Sequence, residues 1–130
     1  SVDARLVERH RLAQRYRAAF ADGPLRLIKQ LQHVKSAEHL FVIGVSAPNR
    51  DAAINALNCA GIGVTVNYRS VPDSTYYHNR YPQAGNSCPV SRIWGEETIS
   101  LPLFPGLTDA EQDYVIGVVQ EKVYPLAELR

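Results

Sequence analysis

The apolar run Leu40-Phe41-Val42-Ile43-Gly44-Val45 constrains this chain more than any other stretch. It falls far short of the roughly 20 residues that a membrane helix needs. Its β-branched and aromatic content suits a strand covered on at least one face, read here as His39–Val45. The segments around it carry helical spacing instead. Over residues 2–21, Val2, Leu6, Ala13, Tyr16 and Phe20 recur at three- and four-residue steps, and Asp22-Gly23-Pro24 stops the pattern. After the strand, Ala47-Pro48-Asn49 reads as a turn, with Asn49 as N-cap of a helix over residues 50–60 whose inward face is Ala53, Ile54 and Leu57. Gly61 is placed just past its end.

Shorter signals complete the chain. Leu25–Ile28 is a candidate strand, and Gly63–Asn67 another, because Val64 and Val66 alternate with Thr65 and Asn67. Tyr68–Ser87 is rich in Tyr, Pro, Asn and Gly and reads as a long irregular loop, functional or flexible. A short helix is expected from Ser87-Cys88-Pro89 to about Gly95, then a strand over Thr98–Leu103 that ends near Pro102. Thr108-Asp109-Ala110-Glu111 has the spacing of a capping box, opening a last helix to about Val123 with Val115, Ile116, Val119 and Val123 inward. This order predicts an α+β two-layer sandwich, in which a small, mainly antiparallel sheet of three to four strands carries helices on one face.

With 130 residues the chain suits a single domain, 1–130, able to bury its own core. It contains no Met and opens at Ser1 directly in a helical pattern, so it reads as a piece of something longer. Net charge is only +1, which argues against a general polyanion binder. The charge is uneven, however, with seven Lys/Arg against three Asp/Glu in residues 1–30. The arginines of the first helix are read as a solvated face or a contact for an acidic surface. Nucleic acid is disfavoured because Tyr16 and Phe20 lie on the apolar stripe, where they cannot stack bases. Two isolated cysteines, Cys59 and Cys88, form no metal-ligand pair and suit a reducing, cytoplasmic setting. No membrane segment or signal peptide is visible.

Local motifs for chemistry are few. Gly61-Ile62-Gly63 follows a helix and precedes a strand, the reverse of a dinucleotide loop, and reads as a helix cap. His10, His33, His39 and His78 lack metal spacing, and Lys29, Lys35 and Lys122 sit in polar contexts unlike a Schiff-base lysine. The long loop is the best candidate site. Asn67-Tyr68-Arg69 closes a strand, and Tyr76-Tyr77-His78-Asn79-Arg80-Tyr81 gathers hydroxyls, an amide and guanidinium groups suited to a hydroxylated, anionic ligand such as a sugar nucleotide. The competing reading has the tyrosines covering the edge of the core.

Several segments together resemble one family. Arg9-His10-Arg11-Leu12-Ala13-Gln14-Arg15-Tyr16, His39 to Ile43, Arg50-Asp51 through Leu57 to Gly61-Ile62-Gly63, and above all Leu101-Pro102-Leu103-Phe104-Pro105-Gly106-Leu107-Thr108-Asp109 resemble the C-terminal small domain of the DegT/DnrJ/EryC1/StrS sugar aminotransferases. The resemblance implies a pyridoxal-phosphate (PLP) enzyme of fold type I, usually a homodimer, that moves an amino group from glutamate to a nucleotide-linked keto sugar. It also implies that the cofactor lysine and most phosphate contacts belong to an N-terminal large domain. Nothing in this chain matches that domain, so this chain alone is expected to bind no PLP.

The family's strand-ending His-Tyr corresponds to Asn67-Tyr68, and a following Tyr-Tyr to Tyr76-Tyr77. The resemblance therefore implies substrate contacts from Tyr68, Tyr76 and Tyr77, with Asn67, Arg69 and Arg80 beside them. Three positions depart from the pattern. Asn67 replaces a histidine and cannot titrate near neutral pH, Arg69 replaces a common proline, and Pro72 stands where a second histidine is frequent. From a different class comes the alternative of a non-catalytic binding or assembly module, which would keep this fold and dock a partner through its basic helix.

Overall fold

A computed structural model describes residues 1–128, and the last two residues of the single domain expected over 1–130 lie outside the described residues. Three strands, β1 (Arg26–Leu27), β2 (Phe41–Gly44) and β3 (Thr98–Leu101), form one antiparallel sheet in the order β1-β2-β3. Phe41 pairs with Leu101 and Ile43 with Ile99, so these four side chains share one face. Helices pack there: α1 (Val2–Phe20), α2 (Ala47–Cys59) and α5 (Asp109–Val118), the last continued by a π-helical turn over Val119–Val123 and by α6 (Tyr124–Glu128). The predicted α+β architecture is the observed one, with the main helices on this face and the helix over residues 89–97 reaching the other through Trp94.

The core follows from these faces. Tyr16 and Phe20 of α1 meet Phe41 of β2, with ring centroids 4.8 Å and 6.4 Å apart, and Ala53, Leu57, Val115, Val119 and Val123 fill the space around them. The buried Tyr16 hydroxyl donates to the Pro102 carbonyl at 2.9 Å, which satisfies its one polar group. At the front of α1 the apolar stripe fails, since Val2 is 82% exposed.

Caps were the most legible local signals. The capping box is present in full: Glu111 N–H donates to Thr108 Oγ1 at 3.2 Å, and Thr108 N–H donates to Glu111 Oε2 at 2.8 Å. Gly61, at φ +80°, lets Ile62 N–H reach the Leu57 carbonyl and Gly61 N–H reach that of Asn58. That pair of bonds closes α2 and confirms the cap reading of Gly61-Ile62-Gly63.

Four expectations need correction. Helix α2 starts at Ala47, three positions before residue 50, with Pro48 in its first turn and Ser46 as N-cap. Asn49 lies inside the helix, and its side chain donates to Ser46 Oγ and to the Leu126 carbonyl. The last helix does not stop near Val123 but runs through its π turn to Glu128. The strand expected at Gly63–Asn67 reduces to one bridge, Thr65 with Ser100, because the chain turns away from β3 after a single exchange of backbone bonds. Residues 68–87 are not an irregular loop. They hold 3₁₀ turns at Val71–Asp73 and Ala84–Ser87 around a short helix α3 (Thr75–Arg80), and α4 (Pro89–Glu97) follows.

The arginines of α1 are also placed. Arg11 pairs with Glu8 and Asp109, Arg15 with Asp109 and Asp113, and Arg17 with the buried Glu38. The acidic surface that the basic helix meets is mostly its own α5. Among the described residues no helix is long and apolar enough to cross a membrane.

Candidate functional site

The second face of the sheet carries the site. Val42 and Thr98 point away from the helical core, and the chain between Asn67 and Val71 comes back over them together with Trp94 of α4. The result is an open cleft of about 450 Å³ lined by Ile28, Lys29, Val42, residues 67–71, Ser91, Trp94, Gly95 and Thr98. Gly95 makes it possible. A Cβ there would stand 2.6 Å from the Ser70 amide nitrogen, so only glycine lets α4 lie this close to the returning chain. Ser70 and Ser91 hydroxyls then meet at 3.0 Å, Arg50 donates to the Gly95 carbonyl at 3.0 Å, and Asn67 Nδ2 donates to Thr65 Oγ1 at 2.9 Å. The Asn67-Tyr68 peptide is cis.

The electrostatics of the cleft are one-sided. Its lining has no acidic residue, and its two cations, Lys29 and Arg69, form no ion pair among the described residues. The third cation nearby is spoken for: Arg26 lies over the Trp94 ring at 3.9 Å and pairs with Glu97 at 2.9 Å. Thr98 is 3% exposed, and its hydroxyl has no hydrogen-bond partner among the described residues. Two cations without ion pairs in a cleft that has no carboxylate suit a ligand with acceptor oxygens.

The six residues predicted from sequence divide into two groups. Asn67, Tyr68 and Arg69 line the cleft, with Tyr68 exposed at its mouth. Tyr76, Tyr77 and Arg80 belong to α3 and lie outside that lining. There the rings meet one another, Tyr76 against Tyr77 at 5.2 Å and Tyr77 against Tyr81 at 6.5 Å, while Arg80 donates to the Tyr81 hydroxyl at 3.3 Å. Since Tyr76, Tyr77 and Tyr81 are all exposed, they do not cover the core edge. An Arg92–Asp73 pair at 3.1 Å ties α4 to the 3₁₀ turn before α3.

Sequence reasoning missed Lys29, Trp94 and Thr98. Trp94 offered one signal, as the single tryptophan of the chain. For PLP itself the residues present do not fit. Lys29, Lys35 and Lys122 are all exposed, none enclosed as a pyridoxal-bearing lysine must be, so no step through that cofactor is derived for this chain. Among the described residues no group of three His, Cys, Asp or Glu side chains is placed to hold a metal ion.

Comparison with known proteins places this geometry. The fold matches Spr1654 of Streptococcus pneumoniae, assigned as a sugar aminotransferase and solved in a PMP form, at 28% identity and a TM-score of 0.83, covering 97% of this chain and 32% of that one. DesV of S. venezuelae matches at 27% identity and TM-score 0.85, over 98% of this chain and 33% of DesV. A DegT DnrJ EryC1 StrS aminotransferase of Brucella abortus matches at 28% and 0.77, over 91% of this chain and 31% of its own. The chain thus spans about a third of the length of these solved proteins. Residues 1–120 match the model of the DegT/DnrJ/EryC1/StrS aminotransferase family, and the chain belongs to that family.

Proposed function

We propose that this chain is the small, substrate-closing domain of a PLP-dependent aminotransferase that converts a nucleotide-linked keto sugar to an amino sugar with glutamate as amino donor. The parent enzyme works as a cytoplasmic homodimer in polysaccharide or antibiotic-sugar biosynthesis, and its N-terminal large domain holds the cofactor. The observation that carries the reading is the family match over residues 1–120, supported by a fold shared with sugar aminotransferases three times as long. Within that enzyme, Asn67, Tyr68 and Arg69 contact the substrate from the cleft, while Tyr76, Tyr77 and Arg80 present a second polar and aromatic surface on α3. Amino transfer is cofactor chemistry, so the isolated chain is inactive.

The test is direct. Purified chain incubated with PLP, glutamate and a nucleotide-linked keto sugar should show no turnover, and borohydride reduction should leave no pyridoxyl group on a specific lysine. One stoichiometrically labelled lysine would overturn the division of labour. The alternative of a module docking through its basic helix finds less support, because Arg11, Arg15 and Arg17 are committed to carboxylates of the same chain.

A further inference from the structure

Residues 71–87 carry no buried side chain, so no apolar anchor fixes them to the core. They are bonded among themselves instead. Ser74 Oγ donates to the Val71 carbonyl at 2.8 Å, His78 N–H to that of Ser74 at 2.9 Å, Tyr81 N–H to that of Tyr77 at 2.8 Å, and Ala84 N–H to that of Tyr81 at 2.9 Å. The first 3₁₀ turn, α3 and the second 3₁₀ turn therefore form one unit. Both ends of that unit leave the body at one place. Ser70, 4% exposed and packed by its amide against Gly95, precedes it, and the Ser70 hydroxyl meets that of Ser91, in the first turn of α4 just past Cys88.

Arg92 holds the unit from α4. Its Nε pairs with Asp73 Oδ1 of the first turn at 3.1 Å, and its side chain lies along Gly85 of the second, with Cδ 3.4 Å from where a Cβ would stand. One side chain thus gathers both turns that flank α3. We infer that residues 71–87 are a flap hinged at Ser70 and Cys88, and that Arg92 is the positioning residue that latches it to α4 and so sets where Tyr76, Tyr77 and Arg80 stand. That the flap bears on substrate rests on the nucleotide-sugar reading above, whereas the latch stands on the geometry alone. Because the Arg92–Asp73 pair is partly exposed, it is a weak tie that can be released, shifting the opening equilibrium by up to about 5-fold.

Hydrogen exchange of the full chain, with sub-second labelling and peptide-level mass spectrometry, tests the latch with no substrate present. Peptides covering residues 75–87 should exchange about 2- to 5-fold faster in Arg92→Ala and in Asp73→Ala than in the wild type. Peptides of α1, β2 and β3 and the urea midpoint should stay unchanged. The double alanine variant should be no faster than either single one, and the exchanged pair Asp73→Arg with Arg92→Asp should recover protection. Glu96→Ala, an exposed change on the same helix, should have no effect. Unchanged exchange in both single variants, additive losses, or no recovery in the exchanged pair each overturns the latch. Acceleration that spreads to β2 and β3, or stays confined to the peptide around residue 73, overturns the single flap. In the parent enzyme Arg92→Ala should raise KM for the nucleotide-linked keto sugar about 2- to 5-fold, with KM for glutamate unchanged. If exchange responds to the latch and that KM does not, the latch holds and the flap's bearing on substrate fails.

Discussion

Replacing Glu38 separates two forces that act on one residue. Its side chain is 2% exposed and accepts from Arg17 at 2.9 Å and Gln30 at 2.8 Å, with His10 Nδ1 3.7 Å away. Its backbone sits at φ +45°, in the left-handed region that disfavours any residue with a Cβ by about 1 kcal/mol. Removing the carboxylate leaves the Arg17 guanidinium, two of whose nitrogens are already buried without a partner among the described residues, with no acceptor at all. Breaking such a buried pair from one side costs about 3–5 kcal/mol. Glu38→Ala keeps the strain and loses the pair, so it should be destabilised by about 3–5 kcal/mol. Glu38→Gly loses the pair but relieves the strain, and should fall about 1 kcal/mol less. Urea denaturation followed by circular dichroism measures both, with an unchanged m-value marking a native-state effect. Equal losses for Ala and Gly would refute the backbone argument, and losses under about 1 kcal/mol for both would refute the buried pair.

Three further outcomes follow from the geometry. Gly95→Ala puts a Cβ against the Ser70 backbone and should destabilise the fold by about 1–3 kcal/mol, measured in urea. Tyr16→Phe removes the bond to the Pro102 carbonyl and should cost about 1 kcal/mol at neutral pH. Burial pushes the Tyr16 phenol above its ordinary value of 10.0, so its contribution is complete below about pH 10 and is lost as pH rises beyond it. Thermal melts from pH 10 upward should show that alkaline loss in the wild type and a shallower one in Tyr16→Phe. Thr108→Ala should cost about 1 kcal/mol at pH 7 as a lost helix cap. The Thr108 amide and hydroxyl hold the Glu111 carboxyl below its ordinary 4.5, so this contribution is present above pH 4.5 and lost as pH falls below it. The gap between wild type and Thr108→Ala should therefore narrow in melts at pH 3, and a gap that widens would contradict the capping box.

What could be read along the chain was whatever is encoded within a few residues. The spacing of Tyr16 and Phe20, the β-branched run at β2, the Thr108–Glu111 box and Gly61 each specify local backbone geometry, and each is found as expected. Helix α3 has no such code. Its six residues are all exposed, it presents no apolar period, and its neighbours are fixed by the Arg92–Asp73 pair rather than by a buried face. Alternation at Val64 and Val66 was a true β signal locally, but a strand needs a partner edge, and β3 offers Thr65 only Ser100.

The site divides along the same line. Hydrogen-bonding capacity and resemblance both pointed to Asn67-Tyr68-Arg69 and to Tyr76-Tyr77, and the fold sets only the first three residues in the cleft lining. Neither signal says what a side chain faces, and on α3 the rings face one another. Charge makes the point more sharply. Counting cations drew attention to α1, where five arginines lie within thirteen positions, yet most of that charge is cancelled by Asp109, Asp113 and Glu38 from elsewhere in the chain. Lys29 and Arg69, distant in sequence and without an ion pair among the described residues, line one cleft only because the connector after β1 and the returning 67–71 segment meet over the same face of the sheet.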